Sequence, residues 1–137
     1  MVFGIAVLMA QWALAADEFK VVVNSANPMS ALTPPQVSRM LLKQETQWGT
    51  GQPVMPVDQL DRSPVRAAFS RTIHGREVTA VKSYWQRMIF SGTSVPPPEK
   101  ANDDEVLAFV RANPGAIGYV SAAASLGSGV KAVRLQE

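Results

Sequence analysis

Pro56-Val57-Asp58-Gln59-Leu60-Asp61-Arg62-Ser63-Pro64-Val65-Arg66-Ala67-Ala68-Phe69 carries the chain from an apolar strand end through a polar turn into a helix. Ser63 fits the N-cap and Pro64 the first helical position, where a missing N–H costs nothing. Such a helix start leaves backbone N–H groups unpaired and can hold an anion. The same residues also suit an ordinary structural cap, with Asp58 and Asp61 making turn contacts. Both readings stand at this point.

The same alternation of strand and helix extends outward from this turn. Upstream, Phe19-Lys20-Val21-Val22-Val23-Asn24 is a short β-branched run, the pattern of a central strand. Thr33-Pro34-Pro35-Gln36 then predicts a capped helix with a Thr–Gln capping box and a buried stripe of Val37, Met40 and Leu41. A loop over 43–52 contains Trp48, and 54–57 is the second strand. Downstream, Val65, Ala68, Phe69, Thr72 and Ile73 lie on one side of the helix that Ser63 opens. Gly75 is its natural left-handed cap.

A third helix is predicted over 78–90, with Val81, Tyr84, Trp85, Met88 and Ile89 at helical spacing. Asn102 caps a fourth, where Glu105 is placed to complete a box and Val106, Leu107 and Val110 face inward. Asn113-Pro114-Gly115 ends it. A third strand follows over 116–120, and a fourth is expected over 130–135. The order predicts an α/β fold, with strands buried under helices. Ligands of such folds gather beyond the carboxyl ends of strands, which nominates residues 24–27, 58–63 and 119–121 as one rim.

Composition narrows the classes of function. The chain has no cysteine, so disulfides, thiolate metal sites and a cysteine nucleophile are excluded. Its 13 basic and 11 acidic residues are scattered, without a nucleic-acid footprint. The single histidine, His74, has no nucleophile partner suggested by spacing, and Asp103-Asp104-Glu105 suits a helix start. No catalytic set, metal site or cofactor is expected.

Residues 1–14 are apolar except for Gln11 and lead into Ala13-Leu14-Ala15-Ala16, an Ala-x-Ala cleavage pattern. This predicts a signal peptide over 1–16, export to the periplasm and a single domain over 17–137. No Lys or Arg precedes Asp17, which departs from the usual signal, and a buried N-terminal helix is the alternative.

Several of these stretches resemble the phosphate-binding-protein branch of the periplasmic solute-binding superfamily, the substrate-binding components of phosphate ABC transporters. They are the strand 21–24 with Asn27-Pro28, the helix and tryptophan loop through Trp48, the strand and helix of 54–69, and Asn113-Pro114-Gly115-Ala116-Ile117-Gly118-Tyr119-Val120. The resemblance implies a type II periplasmic binding-protein fold, with a mixed sheet flanked by helices. It also implies a single second lobe standing alone. By position, the family's anion-site Arg is replaced by Gln59, its Gly by Pro64 and its Thr by Val65, while Asp61 and Ser63 are kept.

The resemblance thus leads to a ligand set of Ser63, Arg66, Arg62, Asp61, Asn24 and Tyr119 for inorganic phosphate or a related oxyanion, held weakly. An ABC permease or a second copy of the chain is the implied partner. The alternative is an interaction or structural module that kept the lobe and lost the ligand. Such a module would expose an apolar surface.

Overall fold

The computed structural model describes residues 18–137, so the expected leader lies outside the described residues. A four-stranded mixed sheet has the order β3-β6-β1-β7. Here β1 is Phe19–Asn24, β3 is Met55–Pro56, β6 is Ala116–Ser121 and β7 is Val130–Ala132. Strand β1 runs antiparallel to both β6 and β7, pairing Val22 with Gly118 and with Ala132. Strand β3 runs parallel to β6. This is the single α/β lobe expected from the sequence.

Alternation along β1 divides the core in two. Val21 and Val23 face a cluster with Leu32, Val37, Met40, Leu41, Trp48, Phe69, Ile73, Ile117 and Tyr119. Val22 faces Val57, Val106, Leu107, Val110, Ala116 and Val120. Successive side chains of a strand point to opposite faces, so helices cover both sides of the sheet. Helices α1 (Pro34–Leu41) and α2 (Pro64–Phe69) supply the first side, and α4 (Asp103–Ala112) the second. Gly118 allows α4 to approach: a Cβ there would lie 2.6 Å from Val57 Cγ1 and 3.0 Å from Val106 Cγ1.

Several details differ from the pattern-based reading. Helix α2 does not continue as α-helix to Ile73, because Ser70–His74 is a π-helical turn closed by Gly75 at φ 65°. The segment expected as one fourth strand splits. Its β7 part joins the main sheet, whereas β8 (Arg134–Leu135) pairs parallel with β2 (Ala31–Leu32). A short parallel ladder of β4 (Asp58–Gln59) and β5 (Glu99–Lys100) lies where the sequence suggested only turn and loop.

Helix α3 (Val78–Phe90) buries only Val81 and Trp85, against Leu42. Ile89 and Phe90 stand in solvent at 52% and 89% exposure. Trp48 is buried, and its indole N–H donates to the Gly115 carbonyl at 2.9 Å. The Thr33–Gln36 capping box forms as read from the sequence. The box at α4 forms by half: Asn102 accepts the Glu105 N–H, but the Glu105 carboxylate accepts from Ala101.

Candidate functional site

The β4–β5 ladder brings the Ser63 turn against the end of β6. Asp58 donates its N–H to the Pro98 carbonyl and Leu60 donates to Lys100, so segment 96–100 lies along the turn. Ser63 then caps α2, accepting the Arg66 N–H at 3.3 Å and donating its hydroxyl to Gln59 Oε1 at 2.8 Å. Pro64 has no N–H, and the Ala67 N–H bonds the Ser63 carbonyl. Among the described residues, Val65 holds the one uncommitted N–H of this first turn.

Gln59 is the hub of the interior. Its side-chain amide donates to Asp103 Oδ1 at 3.0 Å and to the Tyr119 carbonyl at 3.1 Å. Its backbone N–H donates to the Tyr119 hydroxyl at 3.1 Å, and that hydroxyl donates to Asp58 Oδ1. Arg66 lies across this group. Its Nη1 donates to the Gln59 carbonyl at 2.9 Å and to Glu99 Oε2 at 2.6 Å, and its Nε stands 3.6 Å from Asp58 Oδ1. Asp58, Gln59, Arg66 and Tyr119 are all buried. A buried charge needs paired and hydrogen-bonded neighbours, and here the chain itself supplies them.

Burial shapes the charges of this network. Desolvation pushes the Asp58 carboxyl above its usual range, against the pull of Arg66 and the Tyr119 hydroxyl. Burial and the Asp58 charge raise Tyr119, so its hydroxyl stays protonated and serves as a donor. Burial opposes the Arg66 charge, but Asp58 and Glu99 hold the guanidinium protonated.

The other residues nominated from the sequence lie apart from this network. Asn24 is buried at the end of β1 and donates to the carbonyls of Val110 and Arg111, fastening the end of α4. Asp61 is exposed and pairs with Lys82 at 2.7 Å, and that partner lowers its pKa. Arg62 is exposed and makes no ion pair among the described residues. Thus Ser63, Arg66 and Tyr119 come together, whereas Asn24, Asp61 and Arg62 do not join them.

His74 Nδ1 lies 2.8 Å from Ser38 Oγ, and its ring meets Phe69 edge-on. Burial, with Arg76 and Arg66 nearby, lowers its pKa to about 4. Among the described residues this serine–histidine contact has no acidic third member, and no group of three potential metal ligands converges.

Sequence reasoning identified the altered position at Gln59 but not its role, and it missed Asp58 and Glu99 as Arg66 partners. Glu99 follows three prolines in a stretch without periodicity, so no local pattern marked it. Only the β4–β5 pairing brings it to Arg66, across 33 residues of sequence.

The PBP superfamily domain matches residues 6–135 of the chain. No curated protein matches. Among solved structures, an ABC-type phosphate transport receptor from Vibrio cholerae superposes with a TM-score of 0.69 at 24% identity, covering 87% of this chain and 46% of that one. A protein from Clostridium perfringens, assigned as a phosphate ABC transporter substrate-binding protein and holding phosphate, gives 0.67 at 22%, covering 87% and 45%. A possible phosphate binding protein from Planctomyces limnophilus gives 0.67 at 20%, covering 88% and 42%. The chain therefore spans a little under half the length of the structures it resembles.

Proposed function

The chain belongs to the PBP superfamily domain family, and from that membership we propose that it is an exported single lobe that engages another protein and does not hold a free oxyanion. The observation that carries this reading is the internal closure of the anion frame. Ser63 is spent on Gln59 and the Arg66 N–H, Tyr119 on Asp58 and the Gln59 N–H, and Arg66 on Glu99 and the Gln59 carbonyl. A buried phosphate needs several converging donors and compensation of its charge. The residues best suited to that task already satisfy one another.

Family membership and the likeness to transport receptors support a non-enzymatic role. The same likeness, with the apolar start and its Ala-x-Ala ending, supports a periplasmic location. Ile89, Phe90 and Val95, all more than half exposed, supply apolar surface at the end of α3 and in the loop after it. A permease of the ABC type or a second copy of the chain fits as partner.

A second reading rests on Arg62 and the uncommitted Val65 N–H, which could attract an oxyanion weakly at the open side of the turn. Calorimetric titration with phosphate, sulfate and molybdate separates the two. The main reading predicts no saturable heat and no thermal stabilisation at millimolar anion. Saturable binding abolished by Arg62→Ala would establish the second reading in its place.

A further inference from the structure

A groove of about 130 Å³ runs beside the closed network, between α3 and segment 96–99. Arg66, Lys82, Trp85, Ile89, Pro96 and Glu99 are among the residues that line it. Arg66 commits Nη1 to Gln59 and Glu99 and turns Nε toward Asp58, while Nη2 has no hydrogen-bond partner among the described residues. The Arg66 side chain is only 4% exposed. Trp85 is also 4% exposed, and its buried indole N–H has no acceptor among the described residues. Buried donors without partners are uncommon and call for a physical account. Trp85, which holds such a donor, lines the groove together with Arg66.

Among the described residues, Glu99 is the one anionic side chain lining the groove; it faces Arg66, while Lys82 pairs with Asp61. Its carboxylate lies 2.6 Å from Arg66, yet its own side chain is 41% exposed. The arginine is thus fixed and buried, whereas its carboxylate partner reaches in from the solvent side. Asp58 also pairs with Arg66, from 3.6 Å at Nε, but its Oδ1 accepts from Tyr119 and leaves the Nη1 contact to Glu99.

We propose that this groove is a carboxylate-binding site that the chain occupies with its own Glu99, and that an acidic side chain of a protein partner exchanges with Glu99 at Arg66. The guanidinium can present two parallel N–H groups to a carboxylate, and Nη2 is the donor that Glu99 leaves unused. Ile89 and Pro96 would flank the aliphatic stem of the incoming side chain. The inference rests on the proposed role as a protein-contacting lobe and names the chemistry of the contact. Glu99 is tethered, so it competes at a high effective concentration and weakens binding of a free carboxylate.

The test compares the unaltered protein with Glu99→Ala, using acetate as the probe against chloride at matched ionic strength. One readout is the melting temperature; the other is the Trp85 indole N–H resonance. In Glu99→Ala, acetate should shift the Trp85 resonance saturably. It should also raise the melting temperature by about 5 °C at ten times its dissociation constant. The unaltered protein should need at least about tenfold more acetate for the same shift. Glu99→Gln, which keeps the side-chain shape, carries the same comparison if the alanine variant does not fold. No saturable acetate shift in the variant, or equal affinity in both proteins, overturns the proposal. That failure would leave the predicted silence of the unaltered protein toward phosphate as a separate question.

Discussion

Tyr119→Phe removes one oxygen atom from the centre of the closed network and leaves the ring in place. Phenylalanine retains the stack on Phe69, whose centroid is 3.9 Å away at an interplanar angle of 8°. The loss is therefore confined to two hydrogen bonds, one from the Gln59 N–H and one to Asp58. Both partners are buried and cannot turn to water. Each buried group left unsatisfied costs about 1–3 kcal/mol, with a charged acceptor toward the upper end. The expected loss is about 2–5 kcal/mol, a large share of the roughly 5–15 kcal/mol that stabilises a typical domain. In a urea titration followed by tryptophan fluorescence, that corresponds to a midpoint lowered by about 1–3 M at an ordinary slope. A loss below about 0.5 kcal/mol would refute the reasoning, since Gln59 and Asp58 would then have other partners or water.

Other perturbations reach different parts of the account. Gly118→Ala places a methyl 2.6 Å from Val57 Cγ1, and the overpacking should cost about 1–3 kcal/mol in the same titration. His74 titrates near 4 when folded and near 6.5 when unfolded. The unfolded chain thus binds the proton first as pH falls through that window, and stability should drop by about 2–3 kcal/mol between pH 6.5 and 4. Denaturant titrations across that range should show a drop larger by this amount in the unaltered protein than in His74→Gln. Phe90→Ser should change stability by no more than about 0.5 kcal/mol, since the ring is 89% exposed. A larger loss by thermal melting would mean that the ring is covered.

Much of the fold was legible because local signals agreed with one another. The valine run of β1, the Thr33 box and the Gly75 cap each specify their element through backbone chemistry within a few residues. The strand β6 and its preceding Asn113-Pro114-Gly115 stop were equally direct. The β4–β5 ladder was hidden because two-residue strands have no periodicity and its pairing spans about 40 residues of sequence. The split of the last strand was hidden for a related reason: whether a residue joins one sheet or another depends on its partners, not on its own propensity.

The candidate site was legible in its location and illegible in its use. Ser63 as a cap and the departure at Gln59 could be read directly from the sequence. That Gln59 turns inward to hold Ser63, Asp103 and Tyr119 depends on tertiary placement. Arg66 illustrates the limit best. At the third position of a helix, an arginine is as compatible with solvent as with burial. Asp58 and Glu99 decide the matter, and only the folded chain brings Glu99 to it.

The most direct test of the central claim is calorimetric titration of the purified chain with inorganic phosphate to several millimolar, at low ionic strength. A closed, internally satisfied frame predicts heats no larger than dilution and an unchanged melting temperature. A saturable one-to-one isotherm that Ser63→Ala or Arg66→Ala weakens would contradict it, because those side chains would then be serving an anion and not one another.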